Sequence, residues 1–150
     1  MRAEPSSPAA AARAVRSCRP ERPLGDHLAV WKGVRVLPRS ARLHRGADIT
    51  RVSSRGARAQ TDSVGVSVLL GAGASTRAAV VVGRRAGGAV IRNRHRRRLQ
   101  HALVPVLNDV PAGASVLVRG GPEVGALGPA ALQAALANAV HRAVRRAGPR

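Results

Sequence analysis

The chain has 150 residues, room for one domain with tails, and carries a formal net charge of +19 from 26 basic and 7 acidic residues. Its one cysteine, Cys18, excludes an intrachain disulfide and a multi-cysteine zinc site, and no apolar run approaches the roughly 20 residues of a membrane span. Trp31 is the only aromatic residue, which argues against a broad stacking platform for nucleobases.

Self-repulsion at this charge disfavours a compact state, so the charge points to a binding role. Lys32 is the only lysine, and the planar guanidinium forks of the arginines match phosphate oxygens two at a time. A GC-rich genome accounts for arginine over lysine but not for the excess of cations over anions. The start lacks the continuous apolar core of a secretory signal, so the expectation is a soluble, cytoplasmic protein without a membrane role.

Residues 1–36, rich in Ala, Pro, Arg and Ser and without periodicity, are expected to form a disordered extension. Their Arg- and Ser-rich character also fits a transit peptide, a reading weakened by Glu4, Glu21 and Asp26. Ala41 to Gly56 predicts a short helix, with Leu43, Ala47, Ile49 and Val52 as its apolar face, Asp48 in the first turn and Gly56 as its stop. In "SVGVSVLL", Val64, Val66, Val68 and Leu70 alternate with small or polar residues, the period of a half-buried strand. "GAGAS" breaks the chain, and "RAAVVVG" predicts a second strand, antiparallel to the first and adjacent to it.

Gly87 and Gly88 end the following turn, and a helix is predicted from Ala89 to about Val104, with Pro105 ending or kinking it. Ile91, His95, Leu99, Ala102, Leu103 and Val106 form its apolar stripe. Asn93, Arg94, Arg97, Gln100 and His101 lie opposite, with Arg92, Arg96 and Arg98 at the borders. "ASVLVRG", Ala114 to Gly120, predicts a third strand, and "GPEVGALGP" a loop. Pro129 opens a last helix with the stripe Leu132, Ala135, Leu136, Ala139, Val140, Ala143 and Val144. Arg142, Arg145 and Arg146 complement its dipole. The predicted order is α-β-β-α-β-α, an α+β sandwich with one central sheet.

No catalytic constellation stands out. The five histidines, His27, His44, His95, His101 and His141, are scattered, and the carboxylates are too dispersed for an acid–base pair. His95 and His101, six residues apart, cannot share a metal on one helix, and His95 reads as a packed or border residue. "GAGAS" and "RRAGGAV" lack the Gly-Lys-Ser/Thr ending of a nucleotide-cradling loop. By contrast, Arg84, Arg85, Arg92, Arg94, Arg96, Arg97 and Arg98 crowd one segment, and no carboxylate falls between Asp62 and Asp109. A charge run is usually a solvated face, but this density points to polyphosphate binding. Arg84 and Arg85 precede a helix N-terminus, where outward N–H groups favour anions. A membrane-surface helix is poorly supported, since the apolar side has no aromatic anchor.

At "GGAVIRNRHRRRL" the sequence resembles the protein component of bacterial ribonuclease P. The matching parts are the strand Val80 to Val82, the basic pair Arg84-Arg85, Gly87, and Arg92-Asn93-Arg94 followed by Arg96 and Arg97. The resemblance runs from about Val36 to Val144, with "VLPRSARLHRGADITRV" similar to the family's opening segment and "ASVLVRG" to its later strand. It implies a ribonuclease P protein-like (ribosomal-protein domain-like) fold, with a left-handed βαβ crossover around the arginine helix. It also implies an endoribonuclease that removes 5′ leaders from precursor tRNA, in which the RNA subunit with Mg²⁺ performs the hydrolysis. The protein then carries no catalytic residue and binds the catalytic RNA and the precursor tRNA, with no protein partner implied.

Carried over by position, Arg84, Arg85, Arg92, Asn93, Arg94, Arg96, Arg97 and Arg98 are the expected RNA-binding residues. Asn93 is also an indirect metal contact through a bound water, and Ile49, Val52 and Val66 line the leader cleft. Ile49 stands where the family usually has Phe, Gly83 where it has Ser, and His95 where it has an aliphatic residue. Val36-Leu37-Pro38 falls at the family's Met-Leu-Pro start and a GUG codon would read as valine, so residues 1–35 are expected to lie outside the native product. The binding domain is then 37–146, with a tail at 147–150. Two other classes fit the charge: an RNA-binding ribosomal or chaperone-type protein without a nuclease role, and a DNA-binding regulator with its arginine helix in a major groove.

Overall fold

Alternating valines place the centre of the molecule. The computed structural model describes residues 36–148, so the expectations for residues 1–35 and for the end of the tail lie outside the described residues. The elements run α1 (Gly46–Arg55), β1 (Ala57–Gln60), β2 (Val64–Leu69), β3 (Arg77–Val82), α2 (Ala89–Val106), β4 (Ser115–Gly120) and α3 (Pro129–Ala147). The four strands form one sheet of order β1-β2-β4-β3, giving the expected α+β class. β1 and β4 pair antiparallel to β2 on either side, and β3 pairs parallel to β4, with α2 as the connection between them.

The strand pattern sorts the residues onto two faces. Val64, Val66 and Val68 stand opposite Gly120, Val118 and Val116, and all six are buried, the glycine giving room to Leu99. On that face they meet Leu99 and Leu103 of α2 and Leu132, Leu136, Val140 and Ala143 of α3. Burying each such Val or Leu contributes about 1.5–3 kcal/mol, so this layer dominates the stability. The other face is covered only in part by α1, through a small cluster of Leu43, Val52, Ala79 and Leu117 with Ile49 and Leu69 beside it.

Four sequence expectations need correction. β2 and β3 are not neighbours; β4 lies between them, pairing with each by its own edge. The strand β1 was not expected, because "ARAQ" has no β-branched or aromatic residue; it is held by its register against Val68 to Gly65. The first helix starts at Gly46 rather than Ala41, since a 3₁₀ turn at Arg39–Ala41 leads into extended chain where the Leu43 N–H donates to the Ala78 carbonyl. Finally, α2 continues through Pro105 to Val106. Pro removes one intrahelical bond, but Val104, Val106 and Leu107 are all buried, and that packing carries the last turn.

Two close approaches fix the loops. Gly113 has φ +79°, and a Cβ there would lie 2.0 Å from the Gly73 carbonyl oxygen and 2.6 Å from that of Gly71. The glycines of "GAGAS" therefore pack against the turn leading into β4. Gly87, with φ +121°, turns the chain into α2.

Candidate nucleic-acid interface

The arginines of α2 divide by what the helix does at each turn. His95, Leu99, Ala102, Leu103 and Val106 are buried as expected, and Val104 joins them; Ile91, in the first turn of α2, remains 48 % exposed. With about 100° per residue, Val90, Arg94, Arg97 and His101 fall on one flank and Arg92 and Arg96 on another. Asn93, Arg94, Arg96 and Arg97 are exposed, whereas Arg92 is half-buried with its Nε unpartnered. Arg84 and Arg85 are exposed in a 3₁₀ turn, Arg84–Ala86, which rests against a second such turn at Pro122–Gly125.

Arg98 departs from the expected RNA-binding set. Its Nη1 donates to the carbonyls of Val124 (2.9 Å) and Gly125 (3.1 Å), and its Nη2 to that of Leu127. A guanidinium committed to three main-chain acceptors is a clamp on the β4–α3 connection, not a free phosphate ligand. His95 serves the same joint. It is 5 % exposed with Nδ1 unpartnered, and a Cβ on Gly125 would come within 2.9 Å of its Nε2. The packed reading of His95 holds, and any side chain at 125 would have to push the imidazole aside.

The expected leader cleft is not one surface. Ile49 is half-buried on α1 and Val52 is 2 % exposed beneath it, both on the partly covered face of the sheet. Val66 is also 2 % exposed but lies on the opposite face, inside the main core, because strand residues alternate sides. The residues that share the open face with α1 are the alternate ones: Arg58 opposite Ser67, Gln60 opposite Gly65, and Arg119 opposite both Gly65 and Val81. Arg58 and Arg119 reach toward α1, donating to the Ser53 carbonyl and the Ser53 Oγ respectively. Arg146 of α3 donates to the Arg58 carbonyl, at the rim of a cavity of about 720 Å³ that Arg85 and Arg119 also line. Sequence reading missed Arg58, Gln60 and Arg119. Their signal was present in the alternation of "ARAQ" and "VLVRG", once the covered face is known.

Electrostatically the surface is one-sided. The four carboxylates among the described residues, Asp48, Asp62, Asp109 and Glu123, sit on separate elements, and the only ion pair there is His141 with Asp109 at 3.4 Å, both exposed. Such a pair contributes little. Among the described residues no three His, Cys, Asp or Glu side chains gather into a metal site, and hard cations such as Mg²⁺ need several oxygen ligands. The described residues therefore offer no ready-made cage for a resident magnesium ion. No described helix is long and apolar enough to cross a membrane.

One sheet, a parallel strand–helix–strand crossover whose helix carries arginines without carboxylate partners among the described residues, and further arginines on the open face of the sheet define an α+β protein with a strongly cationic surface. A family model described as Ribonuclease P matches residues 37–144. The ribonuclease P protein component of Clavibacter michiganensis is 38% identical over 111 residues, covering 73% of this chain and 98% of that one. That of Streptomyces bikiniensis is 38% identical over 99 residues, covering 60% and 80%. The chain belongs to the ribonuclease P protein family, the protein component of a ribonucleoprotein endoribonuclease. The structure of the Thermotoga maritima RNase P protein matches with a TM-score of 0.60 at 21% identity, over 67% of this chain and 96% of that one, a likeness of fold.

Proposed function

We propose that the chain binds the catalytic RNA of ribonuclease P through the exposed face of α2 and the 5′ leader of precursor tRNA across the open face of the sheet. The single observation that carries this is the set of Arg94, Arg96 and Arg97, exposed on one helix with no carboxylate near them in sequence. Arg84 and Arg85 extend it along the preceding turn. The leader is assigned to Arg58, Gln60, Arg119 and Ile49, in place of the trio with Val66. Without aromatic rings, grip on the leader comes from guanidinium groups and main chain rather than from base stacking, which is worth about 1–3 kcal/mol per base. Mg²⁺ belongs mainly to the RNA, and Asn93 meets a metal only through a bound water. The reaction then takes place in the cytoplasm, where precursor tRNA is made.

Reconstitution tests this reading. Added to a bacterial ribonuclease P RNA at low Mg²⁺, the protein is expected to raise the rate of precursor-tRNA cleavage. RNA binding without any stimulation would instead mark a ribosomal or chaperone-type protein. If about five phosphates are neutralised, log affinity falls with log salt with a slope of about −3.5 to −4.5.

A further inference from the structure

The groove between α2 and α3 has a floor and rim that backbone phosphates alone do not explain. It has a volume of about 660 Å³ and is lined by Val90, Asn93, Arg94, Arg97, Ala102, Leu132 and Gln133 among others. Pockets of about 300–1,000 Å³ suit small-molecule-sized groups. Ala102 and Leu132 are buried and form an apolar base, while Val90 at the mouth is 80 % exposed, an aliphatic side chain that the fold leaves uncovered. Asn93 and Gln133 stand on facing helices, each exposed and each offering one carbonyl acceptor and an amide donor. Arg94 and Arg97 hold the charge, and Arg98, pinned by the carbonyls of Val124, Gly125 and Leu127, adds a fixed planar wall.

We propose that this groove is a receptor for one unpaired nucleotide of an RNA, its base on Val90, Ala102 and Leu132 and its phosphate on Arg94 and Arg97. The proposal rests on the RNA-binding reading above and gives it a specific occupant. Charge complementarity selects the partner: three guanidinium groups and no carboxylate line the groove. The apolar base selects the form, because a base within an A-form duplex is stacked and paired, whereas a splayed base offers its face and its edge. Asn93 and Gln133 then address the base edge, and the fixed guanidinium of Arg98 stacks on the ring in a protein with no Phe or Tyr.

The test measures binding of the full chain, by fluorescence anisotropy, to three RNA duplexes: one with a single-nucleotide bulge, one with that nucleotide abasic, and one unbulged. The bulged duplex is expected to bind about tenfold or more tighter than the abasic one, the effect of one stacked base. Gln133→Trp, which fills the groove from an exposed position of α3, should bring the bulged duplex down to the affinity of the abasic one. Gln133→Glu should do the same through its charge, with folding of both variants checked by circular dichroism. Equal wild-type binding to bulged and abasic duplexes overturns the proposal, as does a bulge preference that survives both substitutions. Displacement of the bulged duplex by a poly-glutamate peptide at matched charge would assign the groove to an acidic protein segment and overturn it too. Stimulated precursor-tRNA cleavage without base-dependent binding sinks the groove alone, while base-dependent binding without stimulation sinks the enzymatic role alone.

Discussion

The two faces of the sheet are cut from the same strands, yet they have opposite chemistry. Val64, Val66 and Val68 of β2 enter the core with Val116 and Val118 of β4, while the residues between them, Gly65, Ser67 and Arg119, belong to the face that α1 only half covers. A step of one residue thus separates the core face from the open, arginine-bearing face within six-residue strands. The same division recurs along α2, where Leu99 and Leu103 hold the fold, Arg94 and Arg97 face outward, and Arg98 is drawn to the structural side despite its charge. Residue type alone does not say which side a group serves; its partners do.

Substitutions on the two sides should therefore fail in different assays. The largest effect is expected from Leu99→Ala in the core: about 2–5 kcal/mol lost in urea unfolding, with unchanged salt dependence of RNA binding in the folded fraction. Arg98→Ala comes next, at about 1.5–3 kcal/mol for a charged donor removed from its carbonyls. A flatter salt slope in that variant, with no loss of stability, would return Arg98 to the RNA-binding set. Replacing Arg94 and Arg97 together with Ala should reverse the pattern. Stability should stay within about 0.5 kcal/mol, while the slope of log affinity against log salt flattens by about one to two units. Smallest is Arg119→Ala, expected to flatten the slope for leader-containing RNA by at most about 0.7–0.9 unit, one phosphate's share, and to leave binding of leaderless RNA unchanged.

Local pattern was enough for much of this. The valine alternation of β2, the stripe of α3 and the cationic face of α2 stand in the sequence because each depends on spacing within one element. What the sequence concealed depends on partners far along the chain. Nothing in "SVGVSVLL" and "RAAVVVG" says that a strand nearly forty residues later will lie between them. Without that, Val66 could be assigned to the cleft, although its neighbours Gly65 and Ser67 are the ones that share the face with α1. Arg98 looked like its neighbours because its three acceptors come from a connection 26 to 29 residues away. The family resemblance placed the arginine helix correctly but could not distinguish a clamp from a ligand.

The order β1-β2-β4-β3 leaves β3 on a border, where unpaired main-chain groups invite a further strand. Arg42 bridges to Ala78 there, and the Leu43 N–H occupies the Ala78 carbonyl, so the segment before α1 seals part of that border from within the same polypeptide. Arg77 holds a charge beside it. The segment before α1 thus leaves less of the β3 edge open to a strand from a second copy, a built-in guard against edge-to-edge association.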